Sequence, residues 1–314
     1  MAGGDTNILH TSRRSIIAVA LAVVVLMLTG PLSAPAMAVP HEPVTDTTTV
    51  TDGPDATTPT DADQDTSDVA VDAFGRVHVV WQDRREGRYN IMYARSDDGG
   101  RSFGPSIMVN EPDGAIDFFN PRVDVDDEGN PYVVWHDPRN SLTTGLDIFL
   151  ARSHDGGDTF GPNVRVNSEE NNKPETMADI SVGRNGRVFV VYMSGLGSAS
   201  DIYMSASEDG GRTFGPSKWV DDDTTGARQL APVVAADDDG VAHVAWTDYR
   251  NGNPDIYYAT RTVQGIITSN VKVNSDGGGA DQDDPAISLL EDTPLLVWTD
   301  ERDGDPDIYL ALRS

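Results

Sequence analysis

Trp81 to Pro105 reads WQDRREGRYNIMYARSDDGGRSFGP, and most of the chain is this stretch written again. The second copy is Trp135 to Pro162, WHDPRNSLTTGLDIFLARSHDGGDTFGP. A third runs from Tyr192 to Pro216 and ends in SEDGGRTFGP. Two shorter copies follow: Trp246 to Arg261, WTDYRNGNPDIYYATR, and Trp298 to Arg313, WTDERDGDPDIYLALR. The landmark aromatics Trp81, Trp135, Tyr192, Trp246 and Trp298 are 54, 57, 54 and 52 residues apart. A period near fifty built from short β-rich runs is the sequence signature of propeller blades. The five copies predict an all-β, five-bladed β-propeller of four-stranded blades.

In the first blade the pattern predicts strand 1 at Val69–Asp72, strand 2 at Arg76–Gln82, strand 3 at Tyr89–Arg95 and strand 4 at Ser106–Asn110. Strands 1 and 2 join at Asp72-Ala73-Phe74-Gly75, whose glycine supplies the positive φ of the turn. Runs such as Val77-His78-Val79-Val80-Trp81 are apolar on both faces, as a sheet sandwiched between two others requires. The closing strands Ile107–Asn110, Val164–Asn167, Lys218–Asp221 and Val271–Asn274 have an N-terminal counterpart in Thr48-Thr49-Val50-Thr51. Likewise ADQDTSDVAVD (62–72) parallels ADQDDPAISLL (280–290), while the last copy stops at Ser314, where its own closing strand would begin. The expected solution is that a strand at 47–52 completes the last blade, giving one domain over 47–314 without exposed sheet edges.

The chain has 314 residues, no cysteine and a formal charge of -28, so disulfides and thiolate metal sites are excluded. Its only lysines are Lys173, Lys218 and Lys272. A surface this acidic repels nucleic acid and anionic membrane. Residues 1–38 read as a signal peptide: Arg13-Arg14, an apolar run from Ile16 to Leu28, then Ala36-Met37-Ala38 as the cleavage site. Residues 39–46 read as a flexible segment. The expected location is secreted or extracytoplasmic, at the cell surface or in the periplasm, with no membrane insertion after cleavage.

Three strand 3–4 hairpins carry one pattern, S-x-D-G-G-x-[ST]-F: Ser96-Asp98-Gly100-Phe103, Ser153-Asp155-Gly157-Phe160 and Ser207-Asp209-Gly211-Phe214. The aspartate is placed to accept backbone N–H groups across the turn, the glycines to take positive φ, and the phenylalanine to bury. The fourth copy has Arg261-Thr262-Val263-Gln264 instead. The pattern closely resembles the Asp-box (BNR) repeat of sialidase-like β-propellers. That resemblance implies a structural box on the face opposite the ligand site. Sialidase activity would further need three clamping arginines, a Tyr–Glu nucleophile pair, an Asp acid/base and an Arg-Ile-Pro motif on six blades. No Arg-Ile-Pro occurs, and the equivalent strand 1 positions Asp68, Arg122, Asp179, Val233 and Ala286 hold one arginine. Sialidase activity therefore does not carry over.

Three sets of residues remain as site candidates. Asp68, Asp124 and Asp179 fall on consecutive inner strands, where facing carboxylates suit glycoside hydrolysis; the alternative is solvated strand-end aspartates. Gln64, Phe118, Glu175, Gln229 and Gln282 are equivalent positions entering strand 1. With Arg122 they suit a hydroxyl-rich ligand, and the alternative is a polar plug of the channel. Asp63, Asp65, Asp281 and Asp283 are expected to converge at ring closure, where Ca²⁺ would find hard oxygen ligands. The W-x-D-x-R loops, repeated in four copies, read as structural clasps. The expected function is a non-catalytic binding or scaffolding module for a glycan or a cell-surface protein. The alternatives are a glycoside hydrolase using Asp68, Asp124, Asp179 or Glu175, and a purely structural surface protein.

Overall fold

A computed structural model describes residues 48–50, 63–112, 116–143, 145–168, 173–197 and 199–312. The expected signal peptide and the flexible segment 39–46 lie outside the described residues. These residues form five antiparallel sheets and no helix, and thus no helix long and apolar enough to cross a membrane.

Each sheet is a meander in chain order. The first is β1 (Gln64–Val71), β2 (Val77–Asp83), β3 (Asn90–Ser96) and β4 (Ile107–Met108). The second is β5 (Phe119–Val125), β6 (Pro131–Asp137), β7 (Asp147–Arg152) and β8 (Val164–Arg165). The third comprises β9 (Glu175–Val182), β10 (Val188–Ser194), β11 (Asp201–Ser207) and β12 (Lys218–Trp219). The fourth comprises β13 (Gln229–Ala236), β14 (Ala242–Asp248), β15 (Asp255–Arg261) and β16 (Val271–Lys272). The last has three strands among the described residues: β17 (Gln282–Leu290), β18 (Thr293–Asp300) and β19 (Asp307–Leu312).

The apolar residues on both faces of each sheet do what sandwiching demands. One cluster (Val80, Ile91, Tyr93, Trp135, Phe149) joins the first sheet to the second. Others join second to third (Leu150, Ile180, Tyr192), third to fourth (Phe189, Met204, Trp246) and fourth to fifth (Ile256, Leu296, Trp298). The inner strands β1, β5, β9, β13 and β17 lie against one another in that succession. The closing-strand valines have a repeated role. Val109, Val166, Val220 and Val273 each pack into the cluster holding the next sheet's landmark aromatic. Val50 does the same against Trp81 of the first sheet, and Thr48 Oγ1 donates to the Arg101 carbonyl at 3.2 Å. Thr48–Val50 has no strand assignment; the rest of the expected 47–52 strand lies outside the described residues.

The predicted turn holds: Gly75, Gly129, Gly186 and Gly240 all have positive φ. The predicted start of strand 1 is corrected. β1 begins at Gln64, five residues before Val69, because a β-bulge separates Asp65 from Asp68. The bulge recurs in all five inner strands, with a non-glycine residue of positive φ each time: Thr66, Asn120, Met177, Ala231 and Asp284. Each such residue costs about 1 kcal/mol or more, and bulges re-aim the side chains that follow them.

Candidate functional site

The bulge delivers the inner-strand carboxylates to where consecutive sheets meet. Asp68 Oδ2 accepts the Val123 N–H of the second sheet at 2.9 Å. Asp124 Oδ2 accepts Val182 N–H of the third at 2.7 Å, and Asp179 Oδ2 accepts Val234 N–H of the fourth at 2.9 Å. All three are half-buried. Burial is the main cause that pushes Asp124 up to about 7, with the charges of Asp179 and Asp68 adding to it. Burial likewise pushes Asp179 up to about 6, against the opposing pull of its Val234 bond and of Arg122. Asp68 is also raised by burial, and Arg122 offsets part of that. These carboxylates and Arg122 therefore form one electrostatic cluster contributed by three sheets.

Two groups the sequence reading passed over complete the site. His136 is buried, with Nδ1 3.2 Å from Asn120 Nδ2 and Nε2 accepting the Ala178 N–H at 3.4 Å. Burial, reinforced by Arg122, lowers its pKa to about 3, so it is neutral. Gln82 occupies the same place one sheet earlier: its Oε1 accepts the Asn120 N–H at 2.8 Å and its Nε2 donates to Asp65. Both are the middle residue of W-x-D. That position is threonine in the last two copies, Thr247 and Thr299, and departs from it in the first two while the flanking Trp and Asp repeat.

The expected ligand ring is placed differently. Phe118, Glu175, Gln229 and Gln282 are 0% exposed, and Gln64 is half-buried. Phe118 belongs to the core between the first two sheets and has no exposed surface to offer a ligand. Glu175 accepts from Ser194 Oγ at 3.2 Å and Asn167 Nδ2 at 3.3 Å. Gln282 donates to Asp300 and accepts from Asn274, while Gln229 donates to Asp223 and Gln64 to Asp83. The repeated ring position thus ties loops to sheets, and Arg122 is the member of the candidate ligand set that joins the carboxylate cluster. Three of the four acidic residues considered for Ca²⁺ have contacts of their own. Asp63 pairs with Arg84 at 3.8 Å, Asp65 accepts from Gln82, and Asp281 contributes its carbonyl to Glu301 N–H. Among the described residues no three His or carboxylate side chains are grouped to hold a metal ion.

The repeated local motifs are structural. Ser153 Oγ donates to Asp155 Oδ1 at 2.6 Å and accepts Gly157 N–H at 2.8 Å. Thr159 donates to Asp155 from both its N–H and its hydroxyl. The same set recurs around Asp98 and Asp209. Phe103, Phe160 and Phe214 are half-buried against the sheets. Each W-x-D-x-R loop is a Trp–Asp–Arg clasp. In the second sheet Trp135 Nε1 donates to Asp137 at 3.0 Å and Arg139 grips the same carboxylate while covering Phe149 at 4.2 Å. Asp83, Asp248 and Asp300 repeat the grip.

No family model matches the chain, and no curated protein matches it. Solved structures do. The chain is similar to an α-L-arabinanase of Penicillium chrysogenum complexed with arabinobiose, at 14% identity over 80% of each chain and a TM-score of 0.58. It is similar to an α-L-arabinofuranosidase of Fusarium graminearum complexed with arabinobiose, at 12% identity over 84% of this chain and 83% of that one, TM-score 0.58. A Hadza microbial sialidase aligns at 17% identity over 80% of this chain but 56% of its own length, TM-score 0.52. These neighbours are propeller glycosidases, and the chain shares their all-β propeller fold.

Proposed function

We propose that the chain is an exported glycoside hydrolase, built as a five-bladed propeller whose N-terminal strand closes the ring. Export rests on the signal-like residues 1–38. Closure rests on Val50, which meets Trp81 as Val109 meets Trp135. The hydrolase reading departs from a non-catalytic binding module, and one observation carries it. Carboxylates from consecutive sheets share one half-buried cluster in which their environments set them apart. Asp124, raised by burial and by the charges of Asp179 and Asp68, is the proton donor to the leaving glycosidic oxygen. Asp179, drawn down by Arg122, is the ionised partner that activates water or stabilises the developing positive charge at the sugar. Asp68 raises both neighbours and holds the second sheet. The fold shared with arabinose-acting enzymes makes neutral furanosides and pyranosides the first substrates to try.

The test is hydrolysis of a panel of 4-nitrophenyl glycosides and of arabino-oligosaccharides by the purified chain. Turnover should fall by about 100-fold or more in Asp124→Asn and Asp179→Asn, each of which keeps an acceptor for its backbone N–H. A second reading, glycan or surface-protein binding without chemistry, is favoured by those N–H bonds, since stitching sheets is sufficient reason for the aspartates. Saturable glycan binding with no turnover on any substrate would establish it instead.

A further inference from the structure

We infer a second ligand site, separate from the carboxylate cluster, that takes a small organic carboxylate with an apolar body. It lies between the third and fourth sheets, where the repeat pattern is broken. In the first two sheets the residue before the box serine is an arginine that reaches the next sheet's box. Arg95 donates to the Gly156 carbonyl at 2.6 Å, and Arg152 to the Gly210 carbonyl. The third sheet has Ala206 at that position, and the fourth has no box to receive an arginine. Its hairpin is the short turn Thr262–Gly265, closed by Gly265 N–H to the Thr262 carbonyl at 2.7 Å. Two side-chain losses on facing sheets leave an open cavity of about 390 Å³, a volume suited to a small ligand.

The lining is bipolar. Met204, Ala206 and Phe214 supply apolar wall, and Arg261 and Lys218 supply positive charge in a chain of formal charge -28. Arg261 is only 8% exposed, lies 5.3 Å over the Phe189 ring, and gives Nη2 to Glu208 at 3.2 Å. Its Nη1 is buried with no hydrogen-bond partner. A buried guanidinium N–H left unsatisfied costs more than about 1 kcal/mol, and an anionic acceptor is the partner that repays most. Lys218 Nζ donates to the Gly265 carbonyl and has further N–H groups to give. Glu208 and Asp209 also line the pocket and formally balance that charge. Glu208, however, also accepts Arg187 Nε at 2.6 Å, and Asp209 is held by Ser207 and Thr213 of its own box, which leaves Arg261 Nη1 and Lys218 as the donors for a ligand.

The probe is 3-phenylpropanoate, with its amide and 3-phenylpropylamine as isosteric controls, followed by calorimetry and chemical-shift mapping. The acid should bind saturably at about millimolar concentration or tighter, as expected of so small a ligand. It should bind about tenfold or more tightly than either control. Arg261→Gln should remove that preference. Because Arg261 is buried, Ala206→Phe, which fills the cavity without touching it, and Lys218→Gln, at an exposed position, keep the test open should Arg261→Gln misfold. Equal binding of acid and amide, binding that survives Ala206→Phe, or no saturable binding of the acid would each overturn the proposal. Glycoside turnover should be unchanged in Ala206→Phe, which separates this site from the hydrolase reading.

Discussion

Two groups of three aspartates on the same sheets face opposite physical problems. Asp98, Asp155 and Asp209 sit in surface hairpins, each surrounded by hydroxyl and N–H donors within the next few residues. Those donors hold Asp98 down to about 2 and the other two lower still. Asp68, Asp124 and Asp179 sit between sheets, each with a backbone N–H arriving from more than fifty residues away and little water to replace the lost hydration. Desolvation outweighs that bond, and all three carboxyls rise. Abundance of aspartate therefore says nothing about chemistry in this chain; the balance of donors against desolvation separates staple from candidate catalyst.

The sharpest way to break this comparison is kinetic. Asp124→Asn or Asp179→Asn should lower glycoside turnover by about 100-fold or more, while Asp155→Asn should leave it within about twofold. Equal effects from both groups would mean that turnover merely reports folding.

The hairpin side of the comparison is tested by stability. Gly157 has φ +99°, and a Cβ there would run into the Tyr93 ring and hydroxyl. Gly157→Ala should cost about 3 kcal/mol or more in denaturant unfolding. Gly75, with φ +80° and open space around it, should cost only about 1 kcal/mol when replaced by alanine.

Between these lies the pH dependence. Asp124 and Asp179 titrate higher folded than unfolded. Their contribution is therefore complete below about pH 4 and is lost as pH rises through about 6 and 7. The hairpin aspartates are depressed, so theirs is present above about pH 4 and is lost as pH falls toward about 2. Stability should be greatest near pH 4 and decline by roughly 2 kcal/mol as pH rises to about 7, discounted for partial exposure. Asp124→Asn should flatten the alkaline limb, and a limb left unchanged would remove Asp124 from the account.

The sequence by itself determined five sheets, their strand order, the positive-φ glycine turns, the box hairpins and the clasps. Each depends on residues a few positions apart, or on a periodic apolar pattern that any sandwiched sheet must show. It also singled out Asp68, Arg122 and Asp179 by repeat position, and Asp124 by its place on the inner strand between them. Only the tertiary structure decided that Phe118, Glu175, Gln229 and Gln282 turn inward, that Gln82 and His136 brace the bulges, and that a lost box and a lost arginine on facing sheets leave one cavity. The reason is range. Spacing along a chain specifies hydrogen bonds that close within a hairpin, whereas burial and charge coupling are set by sheets that meet only when the chain is folded.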